Sequence, residues 1–236
     1  YIQLPKGTSL SKAIQGRGPM GTINASASNE NVRHFYPYAI GSSNELESLA
    51  THAAGLRMKV DVEHGYWFSS SNRELAGVIG MEVPLTARVD KQSETNLLNA
   101  VGITTIFNSF GTGFRLWGNR SSNFPTVTHI SNFEVASRTG DIIDESIRQA
   151  ELQFMDLPVD KALVDSFIET IDTFMRSQKS IVGYSVDLDY DEDLVNEFSQ
   201  GHIPLVYDYT PKLPGERVTN RSVMTRKYLA NLVSQR

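Results

Sequence analysis

The order of secondary-structure signals predicts an α/β fold: a mixed sheet with covering helices in the first half, followed by an α+β unit. Three observations carry this. In the first half, short β-forming runs alternate with helical patterns, as in parallel or mixed sheets. In the second half, two long segments repeat their apolar residues at helical spacing and are followed by strand-like runs. Finally, 40% of the 236 residues are hydrophobic, enough for a sizeable core in one large or two modest domains.

Tyr1, Ile2, Gln3 and Leu4 read as a strand running into Pro5. Thr8 or Ser9 caps a short helix that reaches Ile14 and is stopped by Gly16 and Gly18. After a polar loop at 29–31, residues 32–40 hold a second strand, in which Pro37 marks a bulge or an edge. Asn44-Glu45-Leu46-Glu47 resembles a capping box. The helix it opens extends to about Met58, with Leu46, Leu49, Ala50, Ala53 and Leu56 on one side. Residues 66–72 are aromatic, then serine-rich, and read as loop, and 77–80 are a short apolar piece. Ser93 caps a helix carrying Leu97 and Leu98 that ends at Gly102, and 103–107 is a β-branched strand.

Gly111-Thr112-Gly113-Phe114-Arg115-Leu116-Trp117-Gly118-Asn119-Arg120 organises the chain and opens its second half. Its glycines permit positive φ. Between them Phe114 and Leu116 alternate with Arg115 as in a short strand. Trp117 is one of two tryptophans. Arg120 offers a donor fork suited to a carboxylate or to carbonyls. The expected core here is Phe114, Leu116 and a largely buried Trp117, with Arg115 or Arg120 paired to a carboxylate. Residues 119–128 are polar loop and 130–135 a strand. Residues 139–154 form a helix with Ile142, Ile143, Ile147, Ala150 and Phe154 on one face. Pro158 breaks it, and Asp160 caps a second helix with a stripe of Leu163, Phe167, Ile168, Ile171 and Phe174. Next come a strand at 180–190, a short acidic helix at 191–198 and a strand at 202–209. Pro211 and Pro214 bracket a break, 217–224 is extended, and 227–233 is a short amphipathic piece. The change of pattern near Gly111 places a domain boundary there, giving 1–110 and 111–236.

A net charge of −5 argues against a nucleic-acid clamp. The absence of cysteine excludes disulfides and thiolate metal sites and fits a reducing compartment. No apolar run approaches the ~20 residues of a membrane span. No signal-peptide pattern is visible, and Tyr1 is not an initiating residue.

Local motifs favour structure over chemistry. Gly16, Gly18 and Gly21 match G-x-G-x-x-G, but a dinucleotide site needs that motif between a strand and a helix. Here it comes after a helix, and 22–29 has no helical face. Asp187, Asp189 and Asp191 begin a calcium-loop spacing, yet Glu192 stands where the loop needs glycine and Phe198 where it needs glutamate. An acidic helix start explains them. His34, His52, His64, His129 and His202 lack zinc-site spacing. No G-x-S-x-G elbow occurs. The Asn-x-Ser triplets at Asn24, Asn119 and Asn220 carry no weight. No catalytic, cofactor-binding or metal residue is nominated. The alternative reading, a small α/β hydrolase or nucleotide-binding enzyme, rests only on the strand–helix order of the front half.

One pattern is more specific. Gly102-Ile103-Thr104-Thr105-Ile106-Phe107, leading to Gly113-Phe114-Arg115-Leu116-Trp117-Gly118-Asn119-Arg120, resembles the signature of contractile phage tail sheath proteins. It is similar to those of Mu-like myophages and to R-type pyocin sheaths. The stretches beginning at Asp61 (through Asn72), Arg138 (through Ile147), Asp208 (through Pro211) and Pro214 (through Thr219) agree, in the same order. The resemblance implies part of a subtilisin-like α/β domain over 1–110 and a C-terminal sheath domain with a terminal arm over 111–236. It implies a structural, non-enzymatic protein of the virion tail, assembled in the host cytoplasm, whose copies polymerise helically around the tail tube. Contraction of that lattice drives the tube through the host envelope for genome ejection. The implied partners are neighbouring sheath subunits, the tube protein and the baseplate, with no cofactor, nucleic acid or membrane insertion. The arm is Glu216, Arg217, Val218, Thr219, Asn220, Arg221, Ser222 and Val223, a weakly amphipathic strand with little core of its own. In sheath proteins such arms add strands to a neighbour's sheet. The front part such proteins carry is missing, so this chain is expected to be monomeric or weakly associated.

Overall fold

The computed structural model describes residues 1–17, 29–87, 92–108, 111–190 and 193–232. Its elements in chain order are β1 (Ile2–Gln3), α1 (Leu10–Gly16), β2 (His34–Phe35), β3 (Ala39–Gly41), β4 (Leu46–Glu47), α2 (Leu49–Glu63), β5 (Val78–Met81), α3 (Glu94–Ala100), β6 (Ile103–Phe107), β7 (Arg115–Trp117), α4 (Glu134–Glu151), α5 (Lys161–Ser177), β8 (Ile181–Leu188), α6 (Leu194–Ser199) and β9 (Leu205–Pro211). Short 3-10 helices lie at Ile130–Asn132 and Lys227–Leu232.

The first sheet has the order β1-β2-β6-β7. β1, β2 and β6 run parallel, and β7 returns antiparallel to β6 with Thr105 opposite Trp117 and Phe107 opposite Arg115. Every residue of β6 is buried. That is why its sequence is a continuous β-branched run rather than an alternating one. Its two faces feed different cores. Ile106 packs with Phe35, Leu116 and the α2 residues Leu49, Ala50 and Ala53. Ile103 packs with Leu4, Ala13 of α1 and Leu98 of α3. Helices therefore cover both faces of a mixed sheet, as the strand–helix order implies.

The β6–β7 pair carries this sheet across the boundary expected at Gly111. Gly111 and Gly113 have φ of 67° and 78° and form the turn of a hairpin, not a linker. A three-residue strand has no stability of its own, so β7 depends on its pairing with β6.

Three local expectations change. The strand expected over 32–40 is two: β2 ends before Pro37, and β3 joins β4 and β5 in a separate antiparallel sheet. Asn44 does not cap a helix. It takes φ 62° in a turn closed by Gly41 N–H to Glu45 O at 3.0 Å, and Leu46 and Glu47 pair with β3. Asparagine tolerates that left-handed position as well as it caps helices. α2 starts at Leu49, and Ser48 makes no capping bond. The donor at Ala50 N–H is instead met by the Gln3 side-chain oxygen of β1, at 3.1 Å. Finally, 130–135 is not a strand. Phe133 N–H bonds Ile130 O, and α4 begins at Glu134, where a carboxylate suits the helix N-terminus.

In the second half, α4 and α5 pack against one face of the antiparallel β8–β9 pair. Ile143, Ile147, Phe167, Ile171, Met175 and Ile181 are buried there against Tyr184, Val186, Leu205, Tyr207 and Tyr209. The buried line of α5 is Val164, Phe167, Ile171 and Met175. Leu163, Ile168 and Phe174 of the expected stripe flank it, half-buried.

Candidate assembly surface

The organising stretch is partly core and partly anchor. Leu116 is fully buried, and Phe114 packs against the same cluster. Trp117 is half-buried, short of the expected burial. It ends β7: its ring stacks on Phe107 of β6 at 4.4 Å, and its indole N–H reaches Asn96 Oδ1 of α3 at 3.3 Å. Arg115 donates to backbone carbonyls, Asn72 O at 2.8 Å and Thr112 O at 3.3 Å. Arg120 meets a carboxylate. Its Nε and Nη2 donate to Glu216 Oε2 at 3.0 and 2.7 Å, while its guanidinium lies 3.7 Å from the Phe133 ring centroid. A guanidinium held on an aromatic face keeps its fork aimed. This contact joins the organising stretch to the first residue of the expected arm.

Beyond Glu216 the chain leaves the body. Residues 217–229 are exposed, with Val218 at 81% and Val223 at 66%. From 217 to 224 the backbone forms no hydrogen bond with any described residue. The β8–β9 sheet has the complementary deficit, because among the described residues neither of its outer edges is paired. Its outward face carries Val182, Ser185, Asp187, Val206 and Asp208.

A buried charge network ties the two halves together. Arg33, before β2, is 2% exposed, and Glu134, at the start of α4, is 8% exposed. Their side chains meet at 2.5 Å. Arg33 also donates to Thr104 Oγ1 at 2.9 Å and Gly118 O at 2.8 Å, and the Tyr1 hydroxyl donates to Glu134. Beside them Arg138 grips Asp61 with two bonds of 2.9 and 2.7 Å, and Arg57 donates to Asp61 at 2.7 Å. Burial alone would raise the Glu134 carboxyl, but Arg33, the Tyr1 hydroxyl and Arg57 outweigh it and hold it below the usual carboxylate range. Asp61 is likewise held low, by Arg138 and Arg57 against its burial. Asp61 and Arg138 head two of the stretches that carry the family resemblance, and the structure brings those stretches together. Arg33 and Glu134 give no signal in one sequence, being 101 residues apart.

The remaining candidates stay structural. His34 is buried, and burial, with the Arg17 charge, lowers its imidazole to about 4. His52 and His202 pair with Glu47 and Glu197, and His129 faces Ser131. Asp187 accepts from Leu188 N–H at 2.8 Å. Asp191 and Glu192, Gly18 and Gly21 of the glycine motif, and Asn24 lie outside the described residues. Among the described residues no group of His, Asp and Glu is placed to hold a metal, and no helix is long and apolar enough to cross a membrane.

Comparison with known proteins bears on this arrangement directly. The phage tail sheath protein central domain model matches residues 1–122. The tail sheath protein of Burkholderia phage BcepMu is 45% identical, over 98% of this chain and 50% of that protein. The tail sheath protein of Escherichia phage P2 is 31% identical, over 77% of this chain and 46% of that protein. The chain thus spans about half the length of the curated relatives it matches. Among solved structures, the PVC sheath complex of an extracellular contractile injection system in the contracted state has a TM-score of 0.75 at 16% identity. That match covers 95% of this chain and 63% of that one. The helical sheath of the anti-feeding prophage in the contracted state has a TM-score of 0.74 at 18% identity, covering 95% and 61%.

Proposed function

The chain belongs to the phage tail sheath family, and from that premise we propose that it forms the body and terminal arm of a contractile sheath subunit. Copies stack helically around the tail tube, meet the baseplate at one end, and contract to drive the tube through the host envelope. The role is structural. It uses no cofactor, turns over no substrate, and needs neither nucleic acid nor membrane insertion. The protein resides in the virion tail after assembly in the host cytoplasm. One observation carries this reading: among the described residues, the same chain presents a two-stranded sheet with open edges and an exposed segment with unpaired backbone. An open edge is a template for another strand, and backbone hydrogen bonds can hold such a strand while side chains set its register. Glu216, Arg217, Val218, Thr219, Asn220, Arg221, Ser222 and Val223 are that strand. A contact that does not close on itself builds a helix of subunits.

The two units divide after β7. The sheath-family match ends at residue 122, just past the last strand of the first sheet. The first unit, a parallel-rich sheet covered on both faces, is the subtilisin-like portion. The second, with α4, α5 and β8–β9, is the sheath domain that carries the arm. The test is electron microscopy of the full-length protein with and without residues 214–236. The intact protein forms tubes, and the deletion leaves a folded subunit that forms none. Contractile sheaths built by the deleted protein would refute the role of the arm.

A further inference from the structure

After β9 the chain crosses the body as a strap, residues 212–216, before the exposed terminal run begins. The only backbone hydrogen bond of the strap among the described residues is Lys212 N–H to Ser180 O at 2.9 Å, where the β8–β9 ladder ends. Lys212, Leu213 and Pro214 border a cavity of about 750 Å³ that α2 and Arg115 also line. Pro214, Gly215 and Glu216 border a second, of about 520 Å³, beside Trp117. Open space thus flanks the strap along its length. A Cβ on Gly215 would meet nothing within 4 Å.

One side chain holds the strap down. Among the described residues Glu216 is the strap side chain that makes hydrogen bonds, and it is the one acid between Leu213 and Leu229. Its partner, Arg120, lies 96 residues earlier and is itself immobile. Phe133 and Phe124 stand 3.7 and 4.7 Å from the guanidinium, and the Arg120 backbone bridges to Phe133. Nε and Nη2 both donate to the carboxylate, a fork that a lysine cannot reproduce. The pair is nevertheless open to water, with side chains 21% and 31% exposed. Such a pair adds little to global stability and is weakened by salt, unlike the buried Arg33–Glu134 pair. A rigid donor therefore grips a loosely packed strap through one breakable contact.

We propose that Arg120 is the positioning residue of the terminal run, and that its pair with Glu216 is a clasp that opens without unfolding the body. Closed, the clasp fixes the root of the run beside Phe133. Open, the root swings about Lys212, where the last ladder bond lies. Five extended residues span at most roughly 16–18 Å, so the root passes from one fixed point to a zone of that radius. In the contracting lattice proposed above, that slack takes up a change of spacing between bodies. Only this consequence rests on the arm reading; the clasp does not.

The test is a pulsed electron-spin distance measurement on the intact chain, kept dilute enough to be monomeric by light scattering. The chain has no cysteine, so Val62→Cys on α2 and Val218→Cys just past the clasp, both exposed, take the two labels cleanly. The parent should give a narrow distance distribution at about 0.1 M NaCl that broadens at about 1 M, where the screening length falls from ~10 to ~3 Å. Glu216→Gln should be broad at both salt concentrations, spread over as much as roughly 16–18 Å. Its melting temperature, which a partly exposed pair barely moves, controls for folding. Arg120→Gln should match it, and the double variant should be no broader than either single one. Identical distributions in the parent and Glu216→Gln, or broadening that adds up in the double variant, would overturn the clasp. Either result leaves the arm reading standing, because deletion of residues 214–236 tests that separately.

Discussion

Glu134→Ala removes the carboxylate on which Arg33, Tyr1 and, at 3.8 Å, Arg57 converge. The substitution leaves Arg33 at 2% exposure with only the Thr104 hydroxyl and the Gly118 carbonyl as acceptors among the described residues. Removing one partner from a buried ion pair costs about 3–5 kcal/mol, because the other charge stays buried without compensation. At ~2–4 °C per kcal/mol for a chain of this size, the melting temperature should fall by about 6–20 °C. Replacing both partners, as Arg33→Met with Glu134→Leu, should recover much of that loss. The pH dependence has a definite sign. Glu134 titrates below an unfolded carboxylate, so its contribution is full above the unfolded value of ~4.3 and is lost as pH falls through the lower native value. The single variant should therefore lose less stability on acidification than the parent. Calorimetry and urea titration of the three proteins measure both effects. A Glu134→Ala protein within about 1 kcal/mol of the parent would refute the view that this pair staples α4 to the first sheet.

Trp117→Ala should cost about 2 kcal/mol, less than the ~3–5 of a fully buried aromatic, since the ring is only half-buried; urea unfolding measures it. Gly102→Ala should destabilise by at least about 2 kcal/mol and lower expression of folded protein, because Gly102 has φ +75° and a Cβ would sit 2.6 Å from Phe124 O. His34 is held neutral with a native value of about 4, so the unfolded state takes up its proton first as pH falls below ~6.5. Stability should decline from pH ~6.5 to ~4 by something on the order of 3 kcal/mol, and a His34→Gln protein should lose that slope in pH-dependent urea titrations.

Elements whose own residues decide them were legible. The apolar stripes of α4 and α5, the β-branched run of β6, and the Ser9 and Asp160 caps all come from local pattern, and Ser9 and Asp160 do accept the expected backbone N–H bonds. What failed locally was a choice between two uses of one residue. Asn44 suits a helix cap and a left-handed turn equally, and only pairing of Leu46 and Glu47 with β3 decides. Likewise the apolar residues of 130–135 fit a strand until Glu134 is drawn to a helix N-terminus facing Arg33. A glycine-rich turn looks the same whether it ends a domain or reverses a hairpin, and Gly111 and Gly113 lie between β6 and β7, which pair with each other. The exposure of 217–223 was legible as a run with too little apolar content to fold alone. The meeting of Glu30, Asp141 and Asp208 was not, since they come from three distant segments.

The Gln3 side chain has a consequence for the order in which this body loosens. α2 begins without a cap of its own, and the acceptor for Ala50 N–H is lent by a strand 47 residues earlier. An uncapped first turn frays readily. Helix start and front strand therefore form one cooperative unit, and the exchange rate of the Ala50 amide reports whether β1 is seated. In the lattice proposed above, that amide would gauge whether load has reached the first sheet. If amide exchange at Ala50 were indifferent to Gln3→Ala, strand and helix would be separate units and the gauge would read nothing.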